Sequence, residues 1–221
     1  PMSSPDLTDA ERQAVANVLD TPILSMGQYV KDFEQAFCER TGAKHAIAVN
    51  SGTAGLHLCV RAAGIGEGDL VITTPFSFVA SSNVMLFENA VPLFVDIDPR
   101  TGNIDPELIK DAIENTEKYL PRKGAKADAK IKALLPVDVF GQPADMDPIM
   151  AIAKEHNLAV IEDSCEALGA EYKNRPAGML GDFGIFAFYP NKQMTTGEGG
   201  LVITNNDKDA DYMRAMRNQG R

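Results

Sequence analysis

The chain has 221 residues, 44% hydrophobic and 24% charged, ordinary proportions for globular material with ample length for a core. With 21 basic against 31 acidic residues the net charge is −10, the wrong sign for a protein that holds nucleic acid through its phosphates. No apolar run approaches the roughly 20 residues that span a bilayer, and the first residues lack the basic-then-apolar layout of a signal peptide, so a cytoplasmic protein without a membrane partner is expected.

Three cysteines, Cys38, Cys59 and Cys165, are an odd count at wide spacing, which reads as reduced thiols and not as a disulfide framework. His45, His57 and His156 show no ligand spacing with one another or with a cysteine, so no metal site is expected.

In chain order, residues 8 to 19 open with a threonine cap and an acidic first turn, the start of an amphipathic helix. Gln28 to Arg40 places Tyr29, Val30, Phe33 and Phe37 on one stripe expected to face the core, and Gly42 ends it. Ala46 to Val49 reads as a short buried strand. The following Ser51-Gly52-Thr53-Ala54-Gly55 runs into a helix reaching about Ala63; small residues there leave backbone N–H groups bare at the positive end of the helix dipole, an anion site in waiting. Such turns also use Ser, Gly and Thr simply as caps.

Strand and helix then alternate: Leu70 to Thr73, helix Phe78 to Glu88, Val91 to Val95, helix Pro106 to Ile113, Ile131 to Val137, helix Met146 to His156, Leu158 to Ile161. The lysine-rich interval Glu117 to Lys130 reads as an exposed connection. Ile185 to Tyr189 is an aromatic-rich buried strand stopped by Pro190-Asn191, and Lys192 follows it. A glycine-dense turn and a strand, Leu201 to Thr204, come next, then a helix over Asp209 to Arg217. This alternation predicts an α/β fold, a mostly parallel mixed sheet with helices on both faces, whose ligands gather beyond the carboxyl ends of the strands.

Four unusual stretches fall at such ends: the SGT turn, Pro75-Phe76-Ser77-Phe78, Asp163 after Ile161, and Lys192 after Tyr189. An amine, an anion cradle, a flat aromatic and a carboxylate are what pyridoxal phosphate (PLP) needs: a Schiff-base partner, a phosphate holder, a ring platform and a group that keeps the pyridine nitrogen protonated.

The blocks SGTAGLHL (51–58), PFSFVAS (75–81), PLFVDID (92–98), LPVDVFGQPADMDPI (135–149), IEDSCEALGA (161–170) and FYPNKQMTTGEGG (188–200) occur in that order. From about Asp20 onward the chain resembles the PLP-dependent sugar-nucleotide aminotransferases of the DegT/DnrJ/StrS type, which have the aspartate aminotransferase fold (fold type I). The resemblance implies an N-terminal helical segment over 1–20, a PLP-binding large domain over 21–221, and a small C-terminal domain beyond the last residue. It implies Lys192 as the carrier of the internal aldimine and the proton shuttle, Asp163 on the pyridinium nitrogen, Phe78 on the ring face, and Gly52, Thr53 and Ala54 around the phosphate. It also implies glutamate as amino donor, a nucleotide-linked keto sugar as acceptor, and a homodimer. A keto-cyclitol aminotransferase and a non-catalytic PLP-binding or regulatory relative stand as alternatives. A related branch that dehydrates the sugar at C3 has histidine at the lysine position, and Lys192 speaks against it.

Two positions depart from the family pattern. Ala187 stands where many members have a serine that reaches the phosphate. Glu166 stands where many have a glutamine that donates to the cofactor's phenolic oxygen. A carboxylate facing a phenolate is repelled, so Glu166 is expected to be protonated or turned away.

Overall fold

The computed structural model describes residues 3–121 and 129–221. In order the elements are α1 (Asp9–Leu19), α2 (Gln28–Thr41), β1 (His45–Val49), α3 (Gly52–Ala62), β2 (Leu70–Thr73), α4 (Ala80–Phe87), β3 (Val91–Phe94), α5 (Pro106–Glu114), α6 (Thr116–Tyr119) and β4 (Ile131–Leu135). A single 3-10 turn (Val139–Gly141) precedes α7 (Met146–His156), β5 (Ala159–Asp163), β6 (Glu171–Tyr172), β7 (Arg175–Pro176), β8 (Phe183–Ala187), β9 (Gly200–Thr204) and α8 (Asp207–Arg217). Of the expected connection from Glu117 to Lys130, the first residues fall in α6, where the Tyr119 hydroxyl donates to Asp111 at 2.6 Å; residues 122–128 lie outside the described residues.

Seven strands form one sheet in the order β1-β9-β8-β5-β4-β2-β3. All neighbours from β3 to β8 pair parallel; β9 alone is reversed, pairing antiparallel with both β8 and β1. Since β1 and β8 then point the same way, the carboxyl ends of β1, β2, β5 and β8 open on one edge.

Successive strand residues serve opposite faces, as the pleat requires. On one face Val71, Leu135, Ile161, Ile185 and Val202 pack with residues of α3, α4 and α8; on the other Leu70, Ile72, Leu134 and Val160 pack with α5 and α7. Both faces are covered, which is why these strands are apolar throughout. The aromatic run of β8 has its own partner: Phe186 and Phe188 meet Phe37 and Phe33 of α2, with ring centroids 5.0 and 5.3 Å apart. The α2 stripe is therefore core at Phe37, but not at its start, where Tyr29 is 48% exposed. In α1, Thr8 and Glu11 form a complete capping box, yet none of its residues is buried. Among the described residues no helix is long and apolar enough to cross a membrane.

Candidate active site

The lysine reaches the sheet edge through a β-turn. Pro190 sits at its second position, where a fixed φ suits the turn, and the Lys192 N–H donates back to the Tyr189 carbonyl at 2.9 Å. The Thr195 hydroxyl and the Thr196 N–H both return to the Phe188 carbonyl at 3.0 Å, so the loop is tied to the strand it leaves. The lysine side chain is 15% exposed and places Nζ 3.0 Å from Glu166 Oε1.

Asp163 ends β5 and is 6% exposed. Its N–H donates to Pro136 O and its carbonyl accepts from the Asp138 N–H, both at 3.0 Å. The carboxylate is aimed by the Ser81 hydroxyl, which donates to Oδ2 at 2.7 Å, and by the Cys165 N–H, which donates to Oδ1 at 3.3 Å. Ser77 steadies Ser81 across 2.6 Å, one helical turn earlier.

Ser51 caps α3, its Oγ accepting from the Ala54 N–H at 3.0 Å. The Gly55 N–H is the first to find a carbonyl of the turn, that of Ser51 at 3.1 Å. The amides of Gly52 and Thr53 precede any intrahelical acceptor and stand at the positive end of the dipole. Gly52 has no room for a side chain: a Cβ there would lie 2.8 Å from Ala187 Cβ and 3.0 Å from Cys165 Sγ. Gly200 is equally constrained, a Cβ there lying 2.7 Å from the Gly52 nitrogen. Gly52→Ala is expected to cost about 1–3 kcal/mol of stability through overpacking, read as a lower urea midpoint with unchanged slope.

These groups share one cavity of about 720 Å³. Gly52, Thr53, Phe78, Asp163, Glu166 and Lys192 all line it, with Ser51, Ser77, Phe76 and Phe140 beside them. Ala54 does not line it; its amide is taken by the Ser51 cap. Phe78 precedes α4 instead of opening it and stands 76% exposed at the mouth. Ala187 forms part of the wall beside Gly52. Among the described residues, no three His, Cys, Asp or Glu side chains are grouped so as to hold a metal ion.

Glu166 is not turned away. Oε1 accepts from Lys192 and Oε2 accepts from the Phe140 N–H at 3.0 Å, so the lysine and a backbone amide draw it into the cavity. Phe140, like Ser81, is a residue that sequence reasoning missed. Its φ of 52° is left-handed, a conformation costing about 1–3 kcal/mol in a bulky residue, and its ring is 83% exposed. That ring meets Phe76 edge-to-face, with centroids 5.9 Å apart. The following Gly141 was the one available signal.

Behind the site lie two buried carboxyls. Asp138 accepts from the Ser164 hydroxyl at 2.6 Å and the Ala144 N–H at 2.9 Å, while burial pushes it up to about 6. Glu162 is pushed up to about 8, chiefly by burial and then by Asp138, against the pull of three backbone donors. A carboxyl raised in the folded state favours folding fully below its unfolded value and loses that contribution as pH rises through the folded one. Asp138→Asn keeps an acceptor for Ala144 and can donate to Ser164. Between pH 4 and 7.5 its stability is expected to improve relative to the parent by roughly 3 kcal/mol, measured by urea unfolding across that range.

A half-buried lysine, a fixed carboxylate and a bare helix start, all at carboxyl strand ends of this sheet, define the large domain of fold-type-I PLP-dependent transferases. The chain belongs to the DegT/DnrJ/EryC1/StrS aminotransferase family, whose profile matches residues 5–221 and so extends further toward the N-terminus than the motifs indicate. It is 44% identical to GDP-perosamine synthase of Caulobacter vibrioides over 220 residues, 99% of this chain and 56% of that relative. The aminotransferase from Psychrobacter cryohalolentis superposes with a TM-score of 0.85 at 40% identity, over 96% of this chain and 52% of that one. A GDP-4-keto-6-deoxymannose-3-dehydratase with a trapped PLP-glutamate geminal diamine superposes with a TM-score of 0.87 at 30% identity, over 100% and 56%. The chain thus spans about half the length of the curated relatives it matches.

Proposed function

We propose that this chain is the cofactor-binding part of a PLP-dependent aminotransferase that moves an amino group from glutamate to a keto sugar carried on a nucleotide. The observation that carries the reading is the placement of Lys192 Nζ and the Asp163 carboxylate in one cavity with the bare Gly52 and Thr53 amides. The residues fit the cofactor: the two amides and the Thr53 hydroxyl for its phosphate, Asp163 for its ring nitrogen, Lys192 for its aldehyde. When bound, PLP supplies a carbon that condenses with amines and a ring that draws electrons from the carbon next to the nitrogen.

The protein's own groups do the rest. Lys192 Nζ takes the proton from the α-carbon of glutamate and later delivers one to the former carbonyl carbon of the sugar. Asp163, aimed by Ser81, keeps a proton on the ring nitrogen. The trapped glutamate adduct in the related dehydratase and the perosamine synthase relative support glutamate as donor and a nucleotide sugar as acceptor. Lys192 separates this chain from the dehydratase branch expected to carry histidine there. The reading includes a homodimer, in keeping with the exposed Val15, Leu19, Ile23 and Leu24 in and after α1, and a reducing, cytoplasmic setting that suits three free thiols.

The test is to incubate the full-length protein with PLP, glutamate and a panel of nucleotide keto sugars, and to read products by mass. An aminated sugar nucleotide is expected. If no sugar is aminated and glutamate leaves the visible spectrum unchanged, the protein is a binding or regulatory relative and the proposal fails.

A further inference from the structure

We propose that Glu166 is a positioning residue that couples Lys192 to the Phe140 turn, and through it sets the aromatic rim that receives the C–H face of the sugar; this rests on the reading given under Proposed function. One carboxylate holds both partners, Oε1 accepting from Lys192 Nζ and Oε2 from the Phe140 N–H, each at 3.0 Å. Glu166 is itself anchored: the Gln193 side chain donates to its carbonyl, and that carbonyl would sit 2.8 Å from a Cβ on Gly141.

Phe140 needs such a hold. Its backbone is left-handed, its ring is exposed, and among the described residues its one aromatic contact is the edge-to-face meeting with Phe76; the Glu166 bond therefore joins the turn's own bonds, Gly141 N–H to Asp138 O and Gln142 N–H to Val139 O, in fixing its pose. Phe76 and Phe140 both line the cavity and are exposed, the kind of apolar patch that marks a binding surface, and a flat apolar ring face can meet the C–H side of a sugar. The lysine is also the group that the cofactor engages. With that nitrogen committed to the cofactor, Glu166 would no longer face a free ammonium group while keeping the Phe140 amide, so cofactor loading would be felt at the rim.

Two measurements on the full-length protein test this. In amide exchange without cofactor, Glu166→Ala is expected to speed exchange of the Phe140 amide about tenfold; adding PLP changes that rate about threefold in the parent and not in the variant. In kinetics, Glu166→Ala raises KM for the keto sugar about tenfold with KM for glutamate little changed, and Glu166→Gln, which retains an acceptor for the Phe140 amide, restores it. Exchange at Phe140 that ignores Glu166→Ala or ignores PLP overturns the proposal, as does an equal rise in both KM values or failure of glutamine to rescue. The cofactor-free exchange arm keeps its meaning even if no sugar is aminated, so the two readings fail separately.

Discussion

Lys192→Ala removes the amine on which the proposed chemistry turns, and turnover in the full-length protein is expected to fall about 10⁴-fold or more. The variant should still bind PLP, because the Gly52 and Thr53 amides and the Asp163 carboxylate are untouched. Borohydride treatment of the parent should fix the cofactor to the peptide containing Lys192, and the variant should yield no such peptide. Lys192→Arg sharpens the result. Arginine keeps a cation beside Glu166 but cannot condense with an aldehyde, so it should be as inactive as alanine. An arginine variant with appreciable turnover would reduce Lys192 to an electrostatic partner and sink its assignment.

Asp163→Asn is the second large effect, a fall in kcat of about 10³-fold. The substitution is chosen to leave the fold alone. The backbone of residue 163 keeps both bonds to the extension of β4, and an amide oxygen facing Ser81 can still accept its hydroxyl; only the long 3.3 Å bond from the Cys165 N–H loses its acceptor. What is lost is the negative charge that holds a proton on the ring nitrogen. The urea midpoint should stay near that of the parent while the visible band of the bound cofactor shifts. Unchanged kcat would mean that the ring nitrogen is served by another group.

The sheet was legible because its strands carry their own punctuation. Leu70 to Thr73 and the helix over Met146 to His156 fall where expected, since an apolar run and an amphipathic period are set locally. Lys192 and Asp163 were legible as residues at strand ends, and the structure puts both in one cavity. What escaped depends on choices made between distant segments. Ala54 was assigned to the anion site, but Ser51 reaches its amide first. Glu166 was expected to be protonated or turned away, a reading made from a cofactor atom alone; the two partners that hold it at the cavity, a cation and a backbone amide, lie 26 positions from it on either side of the chain. Ser81, which aims Asp163 across 82 positions, gave no local sign of that duty beyond its spacing of four from Ser77. The left-handed Phe140 broke the rule that bulky residues avoid positive φ, a violation visible only once Glu166 is in place.

The reversed strand has a bearing on how the molecule is made. β9 lies between β1 and β8, pairing Val49 with Gly200, so β1 has no partner in the sheet until residues 200–204, about 150 positions later, have left the ribosome. The five strands from β3 to β8 can assemble earlier around short parallel crossovers. Closing of the Ser51-Gly52 turn against Gly200 is then a late, long-range event, slow for the entropy of the loop it completes. Nascent chains would wait with one edge of β8 open and would be most prone to mispairing at that stage.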